Sequence, residues 1–276
     1  MTQPPSRPAT AAEITRQFTD LGVRPGDLLM VHASLRSVGP VEGGADALLH
    51  CLLSAVGPGG TLMGYASWDR SPYEETLNGA TLADDERSNW PAFNPATASV
   101  YPGFGMFNAL LTGQPGARRS AHPDASMVAV GPLAATLIAP HALGDAFGPR
   151  SPIERFIAHN GKVLLLGAPL DAVTALHYAE AVADIPDKRR VTYEMPLLGA
   201  DGLKHWYKAE DWDSNGILDC YAIEGQADAV ERIATDYVAT HRPPYGKVGN
   251  ADCFLFPARD IVDFGIAWLE RRHATR

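Results

Sequence analysis

The chain has 276 residues, a formal net charge of −9, 46% hydrophobic residues and 20% charged ones. That length suits one large α/β domain with a substantial core, and the composition is that of a globular protein rather than a disordered one. No apolar run is long enough to span a bilayer, and no Lys/Arg cluster is dense enough to track nucleic-acid phosphates, so neither a membrane nor a nucleic-acid partner is expected. The opening Met-Thr-Gln-Pro-Pro-Ser-Arg-Pro lacks the apolar centre of a secretory signal, and Cys51, Cys220 and Cys253 have no metal-type spacing. A reduced protein of the cytoplasm is the expectation.

In chain order, Thr10 caps a first helix over 11–21 that stops at Gly22, and Asp27-Leu-Leu-Met-Val-His-Ala33 reads as a buried strand. An amphipathic helix over 43–56 ends in Gly57-Pro-Gly-Gly60, and Thr61-Leu-Met-Gly-Tyr-Ala66 is the next strand, which makes a βαβ unit. Residues 69–101 are polar and turn-rich but hold Tyr73, Trp90 and Phe93, so they read as an ordered insertion that covers substrate. Strands follow at 126–130 and 163–166, and Asp171 stands where it could cap a helix over 175–184. Residues 190–195 and 204–208 form a hairpin around Ala200-Asp-Gly, and helices cover 227–240 and 258–272. The sum is one domain over 1–276: a three-layer α/β/α fold with a central mixed sheet and an inserted loop region.

The chemistry concentrates in Ala175-Leu-His-Tyr-Ala-Glu-Ala-Val-Ala-Asp184. On a helix, His177, Glu180 and Asp184 share one arc, while Leu176, Ala179, Val182 and Ala183 fall on the other. The helix follows an apolar run ending in Gly167, and the loops after such strands are where α/β sheets carry their sites. A histidine beside carboxylates there is a general base with acidic support, or else an ordinary solvated helix face. The segment from His32 to Gly39 has small hydroxylated residues before a helix and an arginine, Arg36, which suits phosphate oxygens.

Several separated words resemble the aminoglycoside 3-N-acetyltransferase family. They are His32-Ala-Ser-Leu-Arg-Ser-Val-Gly-Pro-Val-Glu-Gly-Gly44, Gly64-Tyr-Ala-Ser-Trp-Asp69, Arg119-Ser-Ala-His-Pro123, Leu176-His-Tyr-Ala-Glu180 and Asp211-Trp-Asp-Ser-Asn-Gly216. The likeness runs from about residue 11 to residue 270 and looks close to the branch acting on gentamicin-like and related drugs. It implies transfer of acetyl from acetyl-coenzyme A to the 3-amine of a deoxystreptamine ring, without a metal, and hence antibiotic resistance. By the same resemblance His177 is the base and Asp213 the carboxylate that orients it; the residues alone leave Asp213, Glu180 and Asp211 all open as its partner, and Glu180 reads as a nearby support or a carboxylate for substrate. Coenzyme contacts are expected at His32, Ser34, Arg36, Ser37, Val38, Ser120 and His122, with His122 the rival base and His32 equally readable as a core histidine.

Aminoglycosides carry several ammonium groups, so their pocket calls for carboxylates acting together: Asp69, Glu74, Glu75, Asp184, Asp211 and Glu224 are candidates, with Tyr65 and Trp68 as flat surfaces for sugar rings. Competing readings are a cysteine acyl-enzyme, a metal held by His177 and Glu180, an acetyltransferase for another amine, and a non-catalytic acidic protein that sequesters cationic drugs. The sequence leaves the oligomeric state open, a homodimer included.

Overall fold

A computed structural model describes residues 7–213 and 224–273. Helix α1 (Ala11–Leu21) begins where Thr10 and Glu13 cap each other's backbone, with Glu13 N–H on Thr10 Oγ1 at 3.3 Å and Thr10 N–H on Glu13 Oε2 at 2.8 Å. Strand β1 (Leu28–Ala33) runs through the short α2 (Leu35–Val38) into α3 (Gly44–Val56) and then β2 (Thr61–Tyr65). Next come α4 (Tyr73–Thr76), α5 (Asp84–Asn89), α6 (Met106–Thr112), β3 (Arg118–Arg119) and β4 (Met127–Val130). Helices α7 (Ala134–Ile138) and α8 (Pro152–Ala158) precede β5 (Lys162–Leu166) and α9 (Leu176–Val182). The hairpin strands are β6 (Arg190–Leu198) and β7 (Lys204–Trp212); α10 (Ala229–His241), β8 (Tyr245–Val248), β9 (Ala251–Pro257) and α11 (Ala258–His273) follow.

Seven strands form a mixed sheet in the order β3-β4-β2-β1-β5-β9-β8. Only β1 with β2 and β1 with β5 pair in parallel; the outer strands are antiparallel. The continuous apolar runs of the central strands follow from burial on both faces. Along β1 and β5, Leu28, Met30, Val163 and Leu165 face one core, packed with α8, α9, α10 and α11, while Leu29, Val31, Leu164 and Leu166 face the other, packed with α1, α3 and α6. The three-layer expectation is met. The helix carrying His177 is shorter than its sequence pattern, because it ends at Val182 and leaves Asp184 beyond it. Asp171 does not cap it; this residue lies in a separate 3-10 turn, Leu170–Ala172.

The 69–101 insertion is braced against the β6–β7 hairpin rather than lying as a loose cover. Tyr73 joins Val191, Tyr193 and Met195 in a small core of their own. Trp68 is only 4% exposed and packs on Phe93 with ring centres 5.4 Å apart, so it anchors the insertion and offers no platform to a sugar. At the carboxyl end of α5, Lys204 Nζ donates to the carbonyls of Arg87, Ser88 and Trp90 at 3.1, 2.6 and 2.7 Å. These carbonyls carry the negative end of the helix dipole, which a lysine suits. Arg87 pairs with Glu194 at 2.5 Å and stacks over Trp206. Lys204→Met removes this latch. Limited proteolysis within 69–101 is expected to accelerate several-fold while the global urea midpoint barely moves, because the two large cores are untouched; an unchanged cleavage rate would show that the latch contributes nothing.

Candidate active site

The chain leaves β1 toward β2 on one side and later returns to β5 on the other, so the carboxyl ends of β1 and β5 part and leave a crevice, the usual ligand position in an open α/β sheet. A cleft of about 810 Å³ occupies it. One wall is His32 to Arg36 after β1, the other Ala168 to Thr174 after β5, with Tyr65, Phe104, Met106, Asn108, Phe147 and His177 between them. Gly167 turns the chain out of β5 at φ +69°, where a Cβ would stand 2.7 Å from Ser37 Cβ and 2.9 Å from Ala251 Cβ. Only glycine meets both demands.

His177 projects from α9 into this cleft. Its Nδ1 lies 2.7 Å from Glu180 Oε2, one helical turn along, with the imidazole side chain 25% exposed and the Glu180 side chain 7%. A carboxylate only accepts, so Nδ1 carries the proton and Nε2 keeps its lone pair in the neutral ring. Burial opposes charge on this ring, but the hydrogen bond and charge of Glu180, followed by the charges of Asp228 and Asp213, outweigh it and raise the pKa above the ordinary histidine value. His32, at the end of β1, behaves oppositely: burial, and then the nearby His177, push it down to about 4. Its Nε2 is buried with no hydrogen-bond partner among the described residues. The cleft therefore pairs a neutral histidine with a basic one.

Glu180, and not Asp213, holds His177. Asp213 is 1% exposed, ion-paired with Arg189, and accepts from Tyr73 Oη at 3.4 Å. It acts on His177 through its charge, across a small crevice lined by both residues, Glu180 and Trp212. Of the expected coenzyme residues, His32, Ser34 and Arg36 line the cleft. Ser37 is exposed beside it, its Oγ 2.8 Å from Ser34 Oγ, and Val38 is buried in the core behind.

Ser120 and His122 do not reach the cleft. Each is 1% exposed, and their polar atoms are bonded to protein: Ser120 Oγ to Met127 N–H and to His141, His122 Nδ1 to Ala125 N–H at 3.0 Å and its Nε2 to Tyr193 Oη at 3.0 Å. Burial also keeps His122 neutral, its pKa well below the ordinary value, and nothing in this position offers it a substrate proton.

Among the expected drug-binding residues, Tyr65 lines the cleft and donates to the Asp124 carbonyl at 3.1 Å. Asp69, Glu74, Glu75, Asp184 and Glu224 are all exposed, and none lines the cleft. Asp211 is 3% exposed and accepts from Ala146 N–H, Trp212 N–H and Tyr193 Oη at 2.9, 2.8 and 3.3 Å, so it has no face for an ammonium group. The sequence reading missed Phe104, Met106, Phe147 and Asn108. Only the Gly103-Phe-Gly-Met106 string, glycines beside exposed apolar residues, hinted at a site wall. The cleft is walled by residues 103–108, which lie just past the insertion expected to cover it. Of the cysteines, Cys51 and Cys253 are buried on the α1–α3 side, burial pushes Cys253 up to about 11, and Cys220 lies outside the described residues.

Comparison with known proteins gives this arrangement its context. The family model described as aminoglycoside 3-N-acetyltransferase matches residues 30–270, and the chain belongs to that family. Aminoglycoside N(3)-acetyltransferase III of Serratia marcescens is 64% identical over 262 residues, covering 95% of this chain and 97% of its own. A sisomicin-bound AAC-VIa structure is 56% identical with a TM-score of 0.93, covering 97% of this chain and all (100%) of that one. AAC-IIIb in a binary complex with CoASH is 36% identical with a TM-score of 0.90, covering 98% and 99%.

The electrostatics of the pair are directly measurable. In an NMR titration His177 should hold its proton to higher pH than a free histidine. Glu180→Gln removes the charge that opposes burial, so the ring's pKa should then fall below the ordinary value. No change on that substitution would mean that Glu180 does not set the charge of His177.

Proposed function

We propose that this protein transfers the acetyl group of acetyl-coenzyme A to the 3-amino group of the 2-deoxystreptamine ring of aminoglycoside antibiotics, in one ternary complex and with His177 as general base, and so confers resistance to them. The observation that carries the reading is the His177–Glu180 hydrogen bond of 2.7 Å on the wall of the β1–β5 cleft, in a chain of this family. The named relatives include one bound to sisomicin and one to CoASH, which supports both substrates.

The chemistry fits the geometry. Acetyl-coenzyme A lies in the cleft with its phosphates toward Ser34 and Arg36 and its thioester toward His177, while the apolar faces of Phe104, Met106 and Phe147 suit the pantetheine arm. An alkyl ammonium has no lone pair until it loses a proton. Neutral His177 accepts that proton at Nε2 as the nitrogen attacks the thioester carbon, and Glu180 steadies the imidazolium that forms. Collapse of the tetrahedral adduct breaks the C–S bond; the His177 imidazolium returns its proton to the departing sulfur and the adduct nitrogen sheds its second proton to solvent, leaving the amide, coenzyme A and a neutral imidazole. No thiol of the enzyme is required, in keeping with the buried, weakly acidic Cys253. The exposed carboxylates Asp69, Glu74, Glu75, Asp184 and Glu224 attract the polycationic drug through the net charge of −9, and Asp171 brings a carboxyl to the cleft wall itself. We infer a single catalytic domain working in the cytoplasm, where its coenzyme is made available.

His177→Ala should cut kcat by about 10²- to 10⁴-fold while both ligands still bind. Near-normal turnover in a folded variant would end the assignment of His177 as base; binding of drug with no coenzyme-dependent product in the unaltered protein would favour sequestration instead.

A further inference from the structure

Residues 139–151, between α7 and α8, contain neither helix nor strand, yet they deliver Phe147 to the cleft. The Phe147 ring lies 5.1 Å from the His177 ring at an interplanar angle of 32°, and 5.7 Å from that of Tyr65. An irregular segment holds a side chain in one place only if its backbone is tied down.

The tie is on the preceding residue. Ala146 N–H donates to Asp211 Oδ2 at 2.9 Å, and the Ala146 carbonyl accepts from His141 Nε2 at 3.1 Å. Both clamps are themselves fixed. His141 Nδ1 accepts from Ser120 Oγ at 2.8 Å. Asp211 also takes Trp212 N–H and the hydroxyl of Tyr193, and Tyr193 Oη in turn accepts from His122 Nε2. Ser120, His122, His141 and Asp211 are between 1% and 4% exposed. Buried polar side chains are costly unless satisfied, and these satisfy one another around a single residue's peptide groups.

We propose that Asp211, seconded by His141, is a positioning residue for acetyl transfer: by clamping Ala146 it presses Phe147 onto His177, which holds the imidazole in its working orientation and limits its contact with water. The inference rests on His177 being the base. Asp211 touches neither ligand. It acts through Phe147, and the buried histidines that do not reach the cleft gain a purpose as its supports.

A role through Phe147 leaves a signature that general instability does not. Among the described residues, the charges that act on His177 are those of Glu180 on its own helix, Asp213 just past β7 and Asp228 ahead of α10, with titratable His32 at the end of β1 and Arg36 and Asp171 on the walls of the same cleft. None of these is altered in Asp211→Asn or Phe147→Ala. Each of these variants admits water to the ring, weakening the burial that lowers the His177 pKa, so that pKa rises. Because the neutral ring is the active form, the acid limb of the kcat profile should move to higher pH.

The experiment measures kcat, both KM values and the pH dependence of kcat for the wild type and for Asp211→Asn, Phe147→Ala and His177→Gln, with folding checked by thermal melting. We expect Asp211→Asn and Phe147→Ala to lose about 10-fold or more in kcat and to shift the acid limb upward together, with both KM values within about 3-fold in Asp211→Asn and only the drug KM so held in Phe147→Ala, whose ring also lines the path of the coenzyme arm. Should Asp211→Asn fail to fold, Phe147→Ala decides alone. A fall in kcat with the limb unmoved overturns the proposal, and so does a rise confined to drug KM, which would return Asp211 to the substrate. Failure of the base assignment has a different mark: His177→Gln would keep the wild-type acid limb.

Discussion

A buried carboxylate one helical turn from a histidine needs a partner, and the histidine is the partner that α9 supplies. The hydrogen bond between His177 Nδ1 and Glu180 Oε2 fixes the tautomer, leaves the lone pair of the neutral ring on Nε2 and holds the ring's basicity above what its burial alone would allow. The rest of the fold places that bond over an opening. Parallel pairing of β1 with both β2 and β5 creates the crevice, burial of both sheet faces makes it rigid, and Gly167 lets the wall after β5 turn sharply enough to carry α9 to its edge.

Burial has opposite outcomes in the two histidines of the cleft. His32 has no carboxylate beside it and is held neutral; His177 has one and is held basic. Two cationic rings in one cleft would repel each other and an ammonium substrate alike. One neutral ring and one carboxylate-supported ring let a proton arrive from a cation at a single nitrogen. The buried groups behind this wall, Asp211 and His141 above all, tie down the backbone beside Phe147, whose ring meets that of His177.

Much of this was legible in the chain. The continuous apolar runs Leu28–Val31 and Val163–Leu166 announced strands covered on both faces, and the i, i+3 spacing of His177 and Glu180 announced their contact. Spacing failed where three-dimensional packing decides. Asp211 and Asp213 alternate with Trp212 along a strand that looks like a hairpin edge, and nothing local shows that Tyr193, Ala146 and Arg189 converge on them. Trp68 could be a stacking surface or an anchor, and Phe93, distant in sequence, makes it an anchor. Ser120 and His122 lie in a string, Arg119-Ser-Ala-His-Pro123, read by its resemblance to the family, but such a likeness does not distinguish a ligand contact from a buried support. Phe147 carried no signal, since its role depends on a ring that meets it only after folding.

The central claim is that Nε2 of His177 receives the proton of the reacting amine. A crystal structure with an aminoglycoside and a thioether analogue of acetyl-coenzyme A, which cannot release its acyl group, tests it directly. The account predicts the 3-nitrogen within about 2.6–3.2 Å of His177 Nε2, with Glu180 still on Nδ1 and the analogue's carbonyl carbon in line for attack. A 3-nitrogen hydrogen-bonded to another side chain, with His177 Nε2 turned to solvent or to protein, would contradict it.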